Sequence, residues 1–180
     1  LYFRWRADPA RTGSDVFTAN SFFIGNVFGN FSTPGVDGRV DFTQTSIANG
    51  TQAPANNTYD WTSEAATFTV TAEQVAAGVP LVLSIGTREA GFTLDRLVFS
   101  TEAALSDAAL DALGNSDTSI IVQGATETFV AFEAETKVNT INGTPTVWVS
   151  TNDATASAGA ALYIGGTSDN NTAPHSFAQY

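Results

Sequence analysis

The sequence predicts an all-β fold, an antiparallel β-sandwich or jelly roll interrupted by two short helical turns. Three observations carry this reading. Short runs recur in which β-branched and aromatic residues alternate with period two. Turn dipeptides separate the runs. A content of 43% hydrophobic against 14% charged residues in 180 positions suffices for one packed core.

In chain order, Leu1 to Arg6 is the first such run, and its alternation puts Leu1, Phe3 and Trp5 on one face, so Trp5 is expected in the core. Ser21 to Ile24, Ala66 to Val70, Leu81 to Ile85, Phe92 to Phe99, Thr128 to Glu135, Thr146 to Val149 and Ala161 to Ile164 follow as predicted strands. Between them stand Pro34-Gly35, Asp37-Gly38, Asn49-Gly50, Asn142-Gly143 and Gly165-Gly166, read as turns at the spacing of a sandwich. Thr71-Ala72-Glu73-Gln74 is a capping box, stopped by Gly78 before Pro80. Ser106 caps a second helical turn to about Leu113, with Asp107 at its positive end and Gly114 as the stop.

Composition narrows the function. Seven Lys and Arg against eighteen Asp and Glu give a net charge of −11, which repels nucleic acid and anionic lipid. No cysteine is present, so disulfides, thiol catalysis and Cys-based zinc sites are excluded, and a single His leaves little imidazole chemistry. No apolar run reaches the length of a bilayer span and no signal peptide is recognisable, so membrane insertion is not expected. The absence of Met reads as a processed or excised piece. Low Lys with abundant Thr, Ser, Asn and Ala fits an extracellular or cell-surface protein. Sequons at Asn30, Asn49, Asn56, Asn142 and Asn170 are what so Ser/Thr-rich a chain produces by chance.

Gly91-Phe92-Thr93-Leu94-Asp95-Arg96-Leu97-Val98-Phe99 resembles the closing strand of family 6-type carbohydrate-binding modules, and Ala76 to Leu83 resembles the stretch before it. Phe129-Val130-Ala131-Phe132-Glu133-Ala134-Glu135 resembles the opening strand of that family. The closing strand comes first, so the module is permuted: residues 1–105 read as its C-terminal portion, 106–128 as a spacer, and 129–180 as its N-terminal portion. Ala173 to Tyr180 reads as the lead into a strand that Leu1 to Trp5 continues. One period of a tandem array, terminal strands exchanged between separate copies, and a permutant that closes on itself all give this order. The first two make head-to-tail polymers in which the partner is another copy of the chain.

The resemblance implies a structural calcium held by Glu133, Glu135 and Asp95. Two carboxylates two apart on one strand share a face, and hard oxygens suit Ca²⁺. Solvated carboxylates, with Asp95 paired to Arg96 or Arg88, are the other reading. Polysaccharide recognition by aromatic stacking in polar loops points to Trp61, Tyr59 and Asn57 in one loop, to Trp148 and to Tyr163. Trp148 between Val147 and Val149 is able to face either way, and Trp61 is open to packing as well. Catalysis is not expected: carboxylates on one strand face cannot flank a scissile bond, and His175 has no matching nucleophile. The loops 37–41 and 168–172 read as plain turns rather than second cation sites. The expected function is a non-enzymatic extracellular repeat assembling head to tail, with a polysaccharide-binding module of a larger secreted protein as the alternative.

Overall fold

The computed structural model describes residues 1–10, 19–25, 45–49, 58–63, 71–78, 83–101, 104–114, 129–137, 139–141, 143, 146–167 and 176–180. The fold is all-β, with antiparallel sheets and, among the described residues, two short helices. The first sheet contains β1 (Tyr2–Ala7), β4 (Asp60–Ser63), β6 (Phe92–Ser100), β7 (Phe129–Glu133), β9 (Thr146–Asn152) and β10 (Ala160–Gly166). Its order is β4-β1-β6-β10-β9, with β7 paired to the distal half of β6. The second sheet, in the order β3-β2-β5-β11-β8, contains β2 (Ser21–Gly25), β3 (Thr45–Asn49), β5 (Ser84–Gly86), β8 (Asn139–Ile141) and β11 (Phe177–Gln179).

One apolar core serves both sheets. Phe3, Trp5, Phe92, Leu94, Leu97, Leu162 and Ile164 of the first sheet meet Phe22, Ile24, Ile85 and Ala178 of the second. Rings touch across the gap: Phe22 lies 5.2 Å from Phe3, edge on, and 5.2 Å from Phe92. Trp5 is fully buried, as its alternation predicts, stacks on Phe92 at 5.5 Å, and donates its indole N–H to Thr62 Oγ1 at 2.9 Å. Each fully buried large side chain contributes about 1.5–3 kcal/mol by leaving water. This shared core is the main source of stability.

Both helices start where their caps say. In α1 (Ala72–Ala77) the Thr71 amide donates to Gln74 Oε1 at 2.9 Å and the Gln74 amide donates to Thr71 Oγ1 at 3.2 Å, and Gly78 follows at a φ of 61°. In α2 (Asp107–Ala112) the Ala109 amide donates to the Ser106 hydroxyl at 3.3 Å.

Several expectations need correction. The portions 1–105 and 129–180 interleave in both sheets, through β6–β7, β6–β10 and β5–β11. The chain ends do not form one strand: β11 and Tyr180 run along β5 and Leu83, whereas β1 is held between β4 and β6 in the other sheet. Within the stretch 106–128, the expected helical turn forms as α2, and its Leu110 is buried against the first sheet. Asp60 and Trp61 belong to strand β4, paired with β1, rather than to a loop. Gly165 and Gly166 extend β10 opposite Val147 and Thr146 instead of turning. The run 66–70, the turns 34–35 and 37–38, the loop 168–172, Asn57 and His175 lie outside the described residues.

Candidate functional site

The outer face of the first sheet concentrates charge. On β1 the residues opposite Phe3 and Trp5 are Arg4 and Arg6. On β6 the register against β1 slips by one residue: Arg4 faces Arg96, while Trp5 faces Leu94, leaving Asp95 without a partner across. This is a β-bulge, and it permits two successive charged residues, both buried, in the strand.

The charges are paired. Arg4 Nη1 meets Asp95 Oδ2. Arg6 Nη2 lies 2.5 Å from Asp153 Oδ2, and Arg96 Nε lies 3.3 Å from Glu133 Oε1. The turn after β9 completes the network. The Ser157 amide donates to Asp95 Oδ1 at 3.0 Å, and its hydroxyl touches both Asp95 Oδ1, at 3.0 Å, and Glu133 Oε2. Within the same turn, Asp153 Oδ1 accepts from the Thr155 amide at 3.0 Å and from its hydroxyl at 2.7 Å. Three arginines therefore meet three carboxylates on a surface that the turn covers.

Glu135 lies past the end of β7, with its carboxyl still within electrostatic reach of Glu133 and Asp95. The strand ends at Glu133 and a 3-10 turn over Ala134–Thr136 redirects the chain. Burial raises the Glu135 carboxyl above its ordinary 4.5, with Glu133 and Asp95 adding to the rise, while its own backbone and Lys137 oppose it. Burial likewise lowers Lys137, whose ammonium donates to Ser150 Oγ at 2.5 Å. Of the three carboxylates that the resemblance assigns to calcium, Asp95 and Glu133 are ion-paired with Arg4 and Arg96, while the buried Glu135 Oε2 has no hydrogen-bond partner among the described residues. Arginine supplies the positive charge at Asp95 and Glu133, and among the described residues no three His, Asp or Glu side chains are grouped to hold a metal.

The aromatic candidates separate. Trp148 is 2% exposed and belongs to the shared core, so it offers no stacking face. Trp61 is 9% exposed, packs with Tyr2, Val98, Leu110 and Ala131, and donates its indole N–H to Asp111 Oδ1 at 2.8 Å. Both corrections have one cause: these strands turn their rings toward apolar neighbours that sequence proximity does not reveal. Tyr59 lies with the Arg4 and Arg6 guanidinium carbons 5.2 and 4.9 Å from its ring centroid, and its hydroxyl donates to Asp153 Oδ2 at 2.6 Å. Burial and that hydrogen bond push the Tyr59 phenol far above its ordinary value. Both guanidinium groups lie within cation–π range of its half-buried ring.

Tyr163 differs. It is half-buried on the outward side of β10, opposite Val149, and its hydroxyl donates to Asp8 Oδ2 at 3.1 Å. Val149 is 44% exposed, and a side chain at Gly165 would meet Tyr163, Val147 and Val149 at 3.7 Å. A shallow apolar surface therefore lies beside a carboxylate. Sequence reasoning missed Arg4, Arg6, Asp153 and Ser157. The alternation that buries Phe3 and Trp5 already placed both arginines on the opposite face, whereas the closure by Ser157 depends on contacts 24 and 62 residues distant. Comparisons with family models, with curated proteins and with solved structures find no match.

Proposed function

We propose that this chain is a non-enzymatic structural repeat of an extracellular protein, a carbohydrate-binding-module-like sandwich whose two portions complete one another's sheets. The observation that carries the reading is the interleaving of 1–105 with 129–180 in both sheets. Such pairing has the same contacts whether the completing strands come from the same copy or the next, which is the chemistry of strand exchange and of head-to-tail arrays. The arginine-balanced outer face supports a structural role, since its carboxylates are committed to protein partners. Electron microscopy of the native material tests the proposal. A regular axial repeat is expected, and dispersed single particles at every concentration contradict it.

A second reading rests on Tyr163. The partly exposed ring beside Val147, Val149 and the Asp8 carboxylate is the surviving place for an apolar sugar face with a hydrogen-bonding group at its rim. A polysaccharide-binding module then replaces the structural repeat. Affinity electrophoresis in polysaccharide gels, with retardation lost on Tyr163→Ala, is its test.

A further inference from the structure

The segment after β6 is gripped by the outer face of the first sheet at several separate points. The Leu105 amide donates to the Tyr2 hydroxyl at 3.1 Å, and the Trp61 indole reaches Asp111. Arg96 donates from Nη2 to Leu113 O at 2.6 Å and from Nη1 to Leu110 O at 3.4 Å. These are the terminal carbonyls of α2, where a helix leaves acceptors unmet and carries partial negative charge. The last turn of α2 has no basic residue of its own. The sheet supplies the cation instead.

The socket is built from both portions of the chain. Leu110, 1% exposed, packs with Tyr2, Trp61 and Val98 from residues 1–105, and with Ala131 of β7 from residues 129–180. Arg96 faces Glu133 in the β6–β7 register and is also ion-paired with it, so the guanidinium that holds α2 is oriented by β7. Removing β7 takes away Ala131 from the apolar wall and Glu133 from Arg96 together.

We infer that residues 105–113 form a latch whose docking is coupled to the addition of β7 to β6, with Arg96 and Ala131 as the coupling residues. A strand 129–133 added from a second copy closes the latch in the same way; that extension rests on the strand-completion reading above, whereas the coupling itself is a property of one chain. The latch stiffens the exit from β6 once the sheet is complete.

Hydrogen exchange on the full-length protein tests this. Glu133→Gln is expected to speed exchange of the Leu110 and Leu113 amides about tenfold, within the usual range of coupling between sites. Because coupling is reciprocal, Leu110→Ala speeds exchange across β7 by a similar factor. Asp111→Asn, at an exposed side chain, is the milder variant should Leu110→Ala fail to fold. Ile85→Val in the second sheet is the control, since it lowers stability away from the latch and leaves the ratio of α2 to β7 exchange unchanged. Exchange in α2 that is unaffected by Glu133→Gln, or that follows global stability equally in all variants, overturns the latch. Neither outcome alters the microscopy expected from strand completion, so the two proposals fail separately.

Discussion

The Tyr59 hydroxyl donates to Asp153 Oδ2 at 2.6 Å, joining the approach to β4 with the turn after β9 across 94 residues of chain. Arg6 reaches the same oxygen. Burial opposes ionisation of Asp153, but hydrogen bonds from Tyr59 and Thr155 and the charge of Arg6 outweigh it and hold its carboxyl below the ordinary 3.8. The unfolded chain binds a proton there more readily, so the stabilisation is fully present above 3.8 and disappears as pH falls through the depressed native value. Asp153→Asn is expected to cost about 2 kcal/mol at pH 7. Urea titrations between pH 7 and 3 should show that difference shrinking toward the acid end.

Glu135 has the opposite sign. Its carboxyl is raised in the fold, so ionisation destabilises the native state above the raised value and has no effect below the ordinary 4.5. Glu135→Gln should therefore stabilise at pH 7, by at most about 1 kcal/mol because solvent screens a half-buried group. Thermal melts at pH 7 and 4 check this, with the gain present at pH 7 and fading at pH 4.

Three of the four ring candidates are separated by stability. Trp148→Ala empties part of the shared core and should cost about 3–5 kcal/mol. Trp61→Ala should cost about 3 kcal/mol and release α2, because it removes both the apolar wall and the donor to Asp111. Tyr163→Ala should cost roughly 1 kcal/mol, through its hydrogen bond to Asp8. Denaturant midpoints measured in parallel rank the three.

Calcium dependence is checked by melting with and without EDTA. The arginines at Asp95 and Glu133 predict an unchanged midpoint. A fall of several degrees on chelation would return calcium to Glu133, Glu135 and Asp95.

Local signals in the sequence were legible wherever local chemistry decides the structure. Alternation placed Phe3 and Trp5 inward, and Thr71-x-x-Gln74 and Ser106 marked the helix starts that the hydrogen bonds confirm. The strands β4, β8 and β11 have only three or four residues, and pairing with distant strands rather than propensity makes them strands. The bulge at Asp95 carries no glycine or proline to announce it, and it is set by the register with β1. Glu135 looked like a continuation of β7 because Ala134 keeps the alternation. The 3-10 turn that redirects it is accompanied by the Thr136 hydroxyl donating to Glu133 O at 2.7 Å.

The pairing of β6 with β7 joins the two portions most directly, and one cross-link measures it. Phe99 and Val130 are register partners, both only partly buried, in a chain with no cysteine. Antiparallel partners lie about 4.5–5.5 Å apart at Cα, within disulfide reach. Phe99→Cys with Val130→Cys should oxidise in the folded protein, and gel mobility then reads the source of β7. A linked monomer means completion within one copy, and a ladder of linked multimers means completion between copies. Two thiols that stay reduced in the folded protein under mild oxidant would contradict the joint sheet.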